Sequence, residues 1–192
     1  MPESITIIGG GNVGKSLLIA FQRAGWPAQI APQDPGASRE LVARSGIVVL
    51  AIPFAARADV IKTLADAADG KIIIDPTNPL KFPGPEFDRG PEAGAVELQR
   101  WAPRAKVVKA FNTIFHRIME TARVGEGRVS AFVAADDADA KRVVLGLAGD
   151  MGFDAVDAGP LANADGLERL LHFEMLLEKV HGSEIGWRFL RE

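Results

Sequence analysis

The chain has no cysteine and no tyrosine, and only three histidines. Without cysteine there are no disulfides, no thiolate catalysis and no cysteine-ligated metal, and the composition suits a reducing cytoplasm. Without tyrosine, carbonyl reduction by a Tyr/Lys pair is excluded. Three histidines make a His-rich metal cage a poor expectation. No apolar run approaches the roughly 18 residues that span a bilayer. Met1 to Gly10 has no basic start, and its apolar run stops at glycines, so no signal peptide is expected. The net charge of −3 offers no field for nucleic acid or anionic membrane. What remains is an ordinary soluble composition, 47% hydrophobic and 24% charged, in 192 residues: one domain with a sizeable core.

Short β-branched runs alternate with longer amphipathic stretches. Ile5–Ile8 reads as a buried strand, followed by a helix from Asn12 to Ala24 that ends at Gly25. Further strands are expected at 28–31, 47–51, 72–75, 106–110, 129–134 and 153–157. Helices are expected at 38–44 (capped by Ser38), 55–68, 93–101, 136–151 and 164–181. This alternation predicts an α/β fold: a doubly wound, mostly parallel sheet of the Rossmann type, with helices on both faces. Residues 1–160 form the Rossmann dinucleotide-binding domain and 161–192 a short C-terminal helical extension packing on it. The proline-rich stretch Pro76–Pro91 is expected to carry no helix or strand of its own, and long loops of this kind are usually functional.

Residues Gly9–Ser16, GGGNVGKS, satisfy two phosphate patterns. Gly9, Gly11 and Gly14 fit G-x-G-x-x-G, whereas Gly9, Gly14, Lys15 and Ser16 fit the P-loop. Both aim backbone N–H groups and a helix N-terminus at phosphate oxygens. The octet directly follows an apolar strand and opens a helix, which favours the dinucleotide pattern. Only that pattern gives Gly11 a role, letting a pyrophosphate approach the backbone. A P-loop would draw on Asp75, at the end of Ile72–Asp75, as a Mg²⁺ ligand, but any buried strand ending in aspartate matches that requirement.

Six segments carry a resemblance: ITIIGGGNVG (5–14), VVLAIPF (48–54), IIIDPTNPL (72–80), VVKAFNT (107–113), FVAADDADAK (132–141) and GFDAVDAGPLANADGLE (152–168). In this order they resemble the NADPH-dependent F420 reductases, the F420:NADP oxidoreductases. Related domains form the cytosolic part of the STEAP metalloreductases. The resemblance implies an oxidoreductase moving hydride between NAD(P)H and a deazaflavin (F420) or flavin-like acceptor, with no catalytic nucleophile, triad or metal. It implies that Gly9, Gly11, Asn12 and Val13 cradle the pyrophosphate and that Ile52, Pro53 and Phe54 line the nucleotide groove. Pro76, Thr77 and Asn78 approach the nicotinamide, while Ala110, Phe111 and Asn112 border the second ring. His116 is a further candidate beside that ring. It also implies a homodimer, to which the apolar stripe of Leu167–Val180 would contribute.

The sequence departs from the family at one place. NADP-preferring members end the second strand in a Ser/Thr–Arg segment, and here Ala31-Pro32-Gln33-Asp34 stands instead. Asp34 lies 20 residues after Gly14, a spacing that suits the ribose 2′-hydroxyl of NAD. A weakened or lost NADP preference is therefore expected, with NADP or NAD as the cofactor, although Arg39 could reach a phosphate. Asp136, Asp137 and Asp139 read as first-turn helix charges rather than metal ligands. Two other classes stay open: a non-enzymatic NAD(P)-binding sensor or scaffold, and a P-loop nucleotide hydrolase.

Overall fold

The computed structural model describes residues 3–81, 86–87, 90, 92–182 and 184–192. The chain runs β1 (Ile5–Ile8), α1 (Asn12–Arg23), β2 (Ala28–Ile30), α2 (Pro35–Arg44), β3 (Ile47–Leu50), α3 (Arg57–Leu64) and β4 (Ile72–Asp75). It continues with β5 (Leu80–Lys81), β6 (Glu86–Phe87), α4 (Gly94–Trp101), β7 (Lys106–Ala110), α5 (His116–Met119), β8 (Arg123–Val124) and β9 (Gly127–Arg128). β10 (Ser130–Ala135), α6 (Ala138–Asp150), β11 (Asp154–Asp157) and α7 (Ala164–His181) complete it.

Seven strands form one sheet in the order β11-β10-β7-β4-β3-β1-β2. From β2 to β7 all neighbours are parallel. β10 then runs antiparallel to β7, and β11 parallel to β10. The reversal follows from the connection. Between β7 and β10 the chain makes only the single-turn α5 and the β8–β9 hairpin, whereas a parallel return needs a full crossover. The mostly parallel, doubly wound α/β sheet is therefore as the sequence predicts.

Apolar strand runs without alternation mean burial on both faces. In β3, Ile47 and Val49 join one core with Leu17, Phe21 and Phe153, while Val48 and Leu50 join the other with Val42, Leu64 and Leu98. Successive residues of a strand point to opposite faces, so IVVL serves both layers. Each such fully buried side chain contributes about 1.5–3 kcal/mol.

Two expectations need correction. α2 begins three residues before Ser38. Asp34 is its N-cap, its carboxylate accepting from Ala37 N at 2.8 Å, and Pro35 opens the helix. Pro is well placed there because its missing N–H has no helical partner to lose. The stretch after β4 is also not without strands, since Leu80–Lys81 pairs antiparallel with Glu86–Phe87. The rest of that expectation, at residues 82–85, 88, 89 and 91, lies outside the described residues.

α7 divides its apolar residues between two faces. Its inward stripe is Ala164, Leu167, Glu168, Leu171 and Glu174, while Phe173, Leu176 and Val180 stay exposed. Residues 184–192 return across β10: Ser130 N donates to Trp187 O at 2.8 Å and Phe189 N to Ser130 Oγ at 2.9 Å. No helix among the described residues is long and apolar enough to cross a membrane.

Candidate functional site

The strand order turns around β1. β2 lies on one side and β3 on the other, which opens a crevice at their C-terminal ends, where open α/β sheets bind ligands. Three glycines shape it. Gly9 has φ +109°, and a Cβ there would lie 2.1 Å from Ala51 O. A Cβ on Gly14 would lie 2.0 Å from Gly9 O, so only glycine lets α1 pack this close to the turn. Gly11 is different: nothing lies within 4 Å of its Cβ position. It caps α1 with no side-chain hydrogen bond, leaving the first-turn N–H groups open for an anion. Asn12, exposed, and Val13, half-buried, occupy that turn.

Two of the groups that a P-loop would use have other partners. Lys15 is exposed, and the Ser16 hydroxyl donates to Glu120 Oε1 at 3.3 Å. Asp75, its proposed metal ligand, is fully buried and ion-paired to Lys109.

Beside the glycine turn lies a cavity of about 370 Å³, lined by Ile8 to Gly10, Ala31 to Gln33, Pro35, Ser38, Ile52 and three residues of α3. That volume suits a nucleoside. Ile52 faces it, as the sequence suggests. Pro53 is exposed beside it, and Phe54 turns elsewhere, with the Arg57 guanidinium 3.4 Å above its ring centre. Asp34 stands at the rim, between the lining residues Gln33 and Pro35.

At the ends of β4 and β7 the sheet holds a cluster of buried charge. Asp75, Lys109 and Glu168 are all 0% exposed. Lys109 Nζ donates to Asp75 Oδ2 at 3.2 Å, Glu168 Oε1 at 3.1 Å and Thr77 O at 2.6 Å. Asp75 Oδ1 accepts from Thr77 N at 2.9 Å and Thr77 Oγ1 at 2.6 Å, and Gly94 N donates to Glu168 Oε1 at 3.0 Å. Arg57, also buried, donates to Phe54 O, Gly94 O and Glu97.

The charges sort themselves by their surroundings. Burial alone pushes Asp75 up, but Lys109, Arg57 and the Thr77 hydrogen bonds outweigh it and hold the carboxyl below its usual range. Glu168 is pushed above its usual range, because burial outweighs the Lys109 attraction and the Asp75 charge adds to it. One cation thus serves one firmly ionised carboxylate, while the second carboxyl is biased toward its neutral form.

Above this cluster the two asparagines meet. Asn78 Nδ2 donates to Asn112 O at 3.0 Å, and Asn112 Nδ2 donates to Asn78 Oδ1 at 2.9 Å and to Leu167 O at 3.0 Å. The Asn112 Oδ1 acceptor is buried with no partner. Thr77 is buried by its bond to Asp75. Ala110 is fully buried at the end of β7.

Phe111, expected to border a ring, points into the core between Phe21 and Phe153, at centroid distances of 6.2 Å to each. Its backbone alone, at φ +64°, lies at the strand end. Positive φ in a bulky residue is strained, and the aromatic packing holds it there. His116 begins α5, half-buried. His172 stacks on Phe87 at 5.2 Å, tying α7 to the β5–β6 pair.

The acidic run at α6 consists of structural contacts. Asp137 is the N-cap, accepting from Ala140 N at 2.8 Å. Asp136 accepts from Leu161 N at 2.9 Å, and Asp139 pairs with Arg142. Trp101 is 38% exposed at the end of α4, with Arg57 5.4 Å from its ring centre.

Sequence reasoning missed Lys109, Glu168 and Arg57. Two signals were available: a lysine inside the apolar run VVKAF, and glutamates on the 164, 167, 168, 171, 174 stripe of α7. A charge at a buried position needs a partner, so each predicts another.

Comparison with known proteins agrees with this architecture. The sequence profile described as NADP oxidoreductase, coenzyme F420-dependent, matches residues 33–79. Metalloreductase STEAP3 of Rattus norvegicus is 26% identical over 179 residues, covering 86% of this chain. The chain spans 36% of that protein's length, and about a third of the curated relatives it matches. A solved structure from Arthrobacter sp. FB24, itself assigned only by inference as an F420-dependent NADP-reductase, superposes with a TM-score of 0.89 at 27% identity, covering 98% of this chain and 100% of that one. A hypothetical protein from Sinorhizobium meliloti superposes with a TM-score of 0.74 at 31% identity, covering 85% and 88%. With its whole length laid on the first of these folds and most of it on the second, the chain is placed among the NAD(P)-dependent oxidoreductases.

Proposed function

We propose that the chain binds a nicotinamide dinucleotide across the β1–β3 crevice and transfers hydride between it and a deazaflavin (F420) or flavin-like acceptor at the ends of β4 and β7. The observation that carries this reading is the glycine turn: Gly9 and Gly14 are sterically required, while Gly11 leaves open space at an uncapped helix N-terminus. That arrangement fits a pyrophosphate. The adjoining cavity at Ile52 fits the adenosine half.

When bound, the nicotinamide supplies the hydride, a chemistry that asks the protein for orientation and exclusion of water rather than for a nucleophile. The residues here are suited to that work. Thr77 and Asn78 are locked to Asp75 and Asn112, so the strand ends that border the ring cannot drift. Lys109 is sealed beneath them and holds the Thr77 carbonyl in place. The unpaired Asn112 Oδ1 is the one buried acceptor left at this end of the sheet among the described residues of the cluster.

A second copy of the chain completes the proposal. Phe173, Leu176 and Val180 are 51%, 41% and 76% exposed along one face of α7, a patch that suits a homodimer. Light scattering at micromolar concentration checks it, and a monomer there removes it. A cytoplasmic setting accords with the lack of cysteine.

The test of function is a titration panel of NADH, NADPH and Mg·ATP, followed by anaerobic mixing of the bound dinucleotide with F420 or FMN while acceptor absorbance is followed. Nicotinamide binding with reduction of either acceptor is expected. Binding without any transfer would make the chain a sensor or scaffold. Tight Mg·ATP binding with no nicotinamide binding would overturn the reading.

A further inference from the structure

We infer that the crevice selects the dinucleotide that lacks a 2′-phosphate, NAD(H) over NADP(H), and that Asp34 is the residue that decides it. The inference rests on the dinucleotide reading above and runs against the cofactor in the family's description.

The ribose end of such a crevice lies beyond the second strand. There, an acidic residue accepts from the 2′-hydroxyl, or an arginine meets the 2′-phosphate. In this chain the position is occupied by Asp34, flanked by the cavity-lining Gln33 and Pro35. Its carboxylate is fixed, not mobile, because Oδ1 accepts from Ala37 N at 2.8 Å as the N-cap of α2. The second oxygen, Oδ2, is left as an acceptor at an exposed rim.

Most of what could welcome a phosphate there is already committed, the Gly36 N–H excepted. A helix N-terminus attracts anions through its free N–H groups, but Pro35 has none, the Ala37 N–H serves Asp34 Oδ1, and the Ser38 N–H serves Asp34 O at 2.9 Å. Asp34 thus places its own negative charge on the end of α2 where a phosphate would sit. No lysine or arginine lines the cavity among the described residues. Arg39, one turn into α2, is paired with Asp66.

Calorimetric titration of NADH and NADPH into the full chain, repeated across a salt series, tests this. The wild type should bind NADH at least about tenfold more tightly, the size expected for a dianionic phosphate near one carboxylate at a wet surface. That preference should narrow as salt rises, because repulsion is screened. Asp34→Asn keeps an equally good helix cap while removing the charge. It should raise NADPH affinity about tenfold with no loss of thermal stability. Asp66→Asn, which releases Arg39, should raise NADPH affinity by a smaller factor. Equal or tighter binding of NADPH by the wild type, or an Asp34→Asn variant whose preference does not move, would overturn the inference while leaving the proposed function intact. Binding of neither dinucleotide would overturn both.

Discussion

At the end of β1 the chain presents bare backbone: Gly9 and Gly14 have no room for a side chain, and Gly11 keeps the approach clear. At the ends of β4 and β7 it does the opposite. Asp75, Lys109, Glu168 and Arg57 are packed out of solvent, and nearly every polar atom of theirs is spent on a neighbour. The two regions lie at strand ends of one sheet yet hold their shape by different means. In the first, shape comes from steric permission, so the cost of change is local strain. In the second, shape comes from mutual neutralisation of buried charge, so the cost of change is a charge stranded in a low dielectric.

The contrast is most open to breaking at Lys109. Lys109→Ala should take away the cation that pairs with both Asp75 and Glu168, costing about 3–5 kcal/mol. Urea denaturation would read this as a large fall in midpoint. A loss below 1 kcal/mol would mean that the cluster is not the electrostatic keystone of its end of the sheet.

α7 extends the buried charge away from the crevice. Glu174 is buried and neither of its oxygens is hydrogen-bonded. Burial pushes its pKa up to about 8, the facing Trp187 indole opposing the rise and Glu178 adding to it. An unfolded glutamate loses its proton near 4.5, so the folded protein alone holds this proton between about pH 4.5 and 8. Stability from this group is therefore full below about pH 4.5 and lost as pH rises toward 8, at up to about 1.4 kcal/mol per pH unit. Glu174→Gln should remove that slope and be the more stable protein above pH 8. Identical pH–stability curves for the two would refute it.

The glycine turn gives the next effects. Gly9→Ala should cost about 1–3 kcal/mol through its positive φ, with more from the contact with Ala51 O, and should abolish dinucleotide binding. At the other end, Thr77→Val removes one hydroxyl donor from Asp75 and should cost about 1–2 kcal/mol in a melt. Gly11→Ala should be nearly silent for stability, below about 0.5 kcal/mol, since its φ is −74° and its surroundings are open. Its dinucleotide affinity should nevertheless fall at least about tenfold. If stability and binding fell together, Gly11 would belong with Gly9 as a folding residue.

The same contrast marks how far the sequence could be read. The glycine turn was legible because its constraints are local: three positions, one strand before and one helix after. Asp34 was legible as a charge at a given spacing, but its capping of α2 was not, since Ser38 made an equally good cap by type. Phe111 was misplaced for a different reason. A residue at a strand end can face ligand or core, and only the presence of Phe21 and Phe153 decides which. The antiparallel β10 likewise depends on how short the preceding connection turned out to be.

By itself the sequence determined the alternation of strands and helices, the two-faced core and the open helix N-terminus at Gly11. Each of these follows from periodicity or from a residue's own conformational range. Only the tertiary structure decided that Asp75 should serve Lys109 rather than a metal, that Glu168 and Glu174 should face inward, and that Arg39 should be spent on Asp66. Those outcomes depend on charges from distant segments meeting where water is absent or scarce. A charge's partner and its burial are properties of the assembled fold, not of its neighbours in sequence.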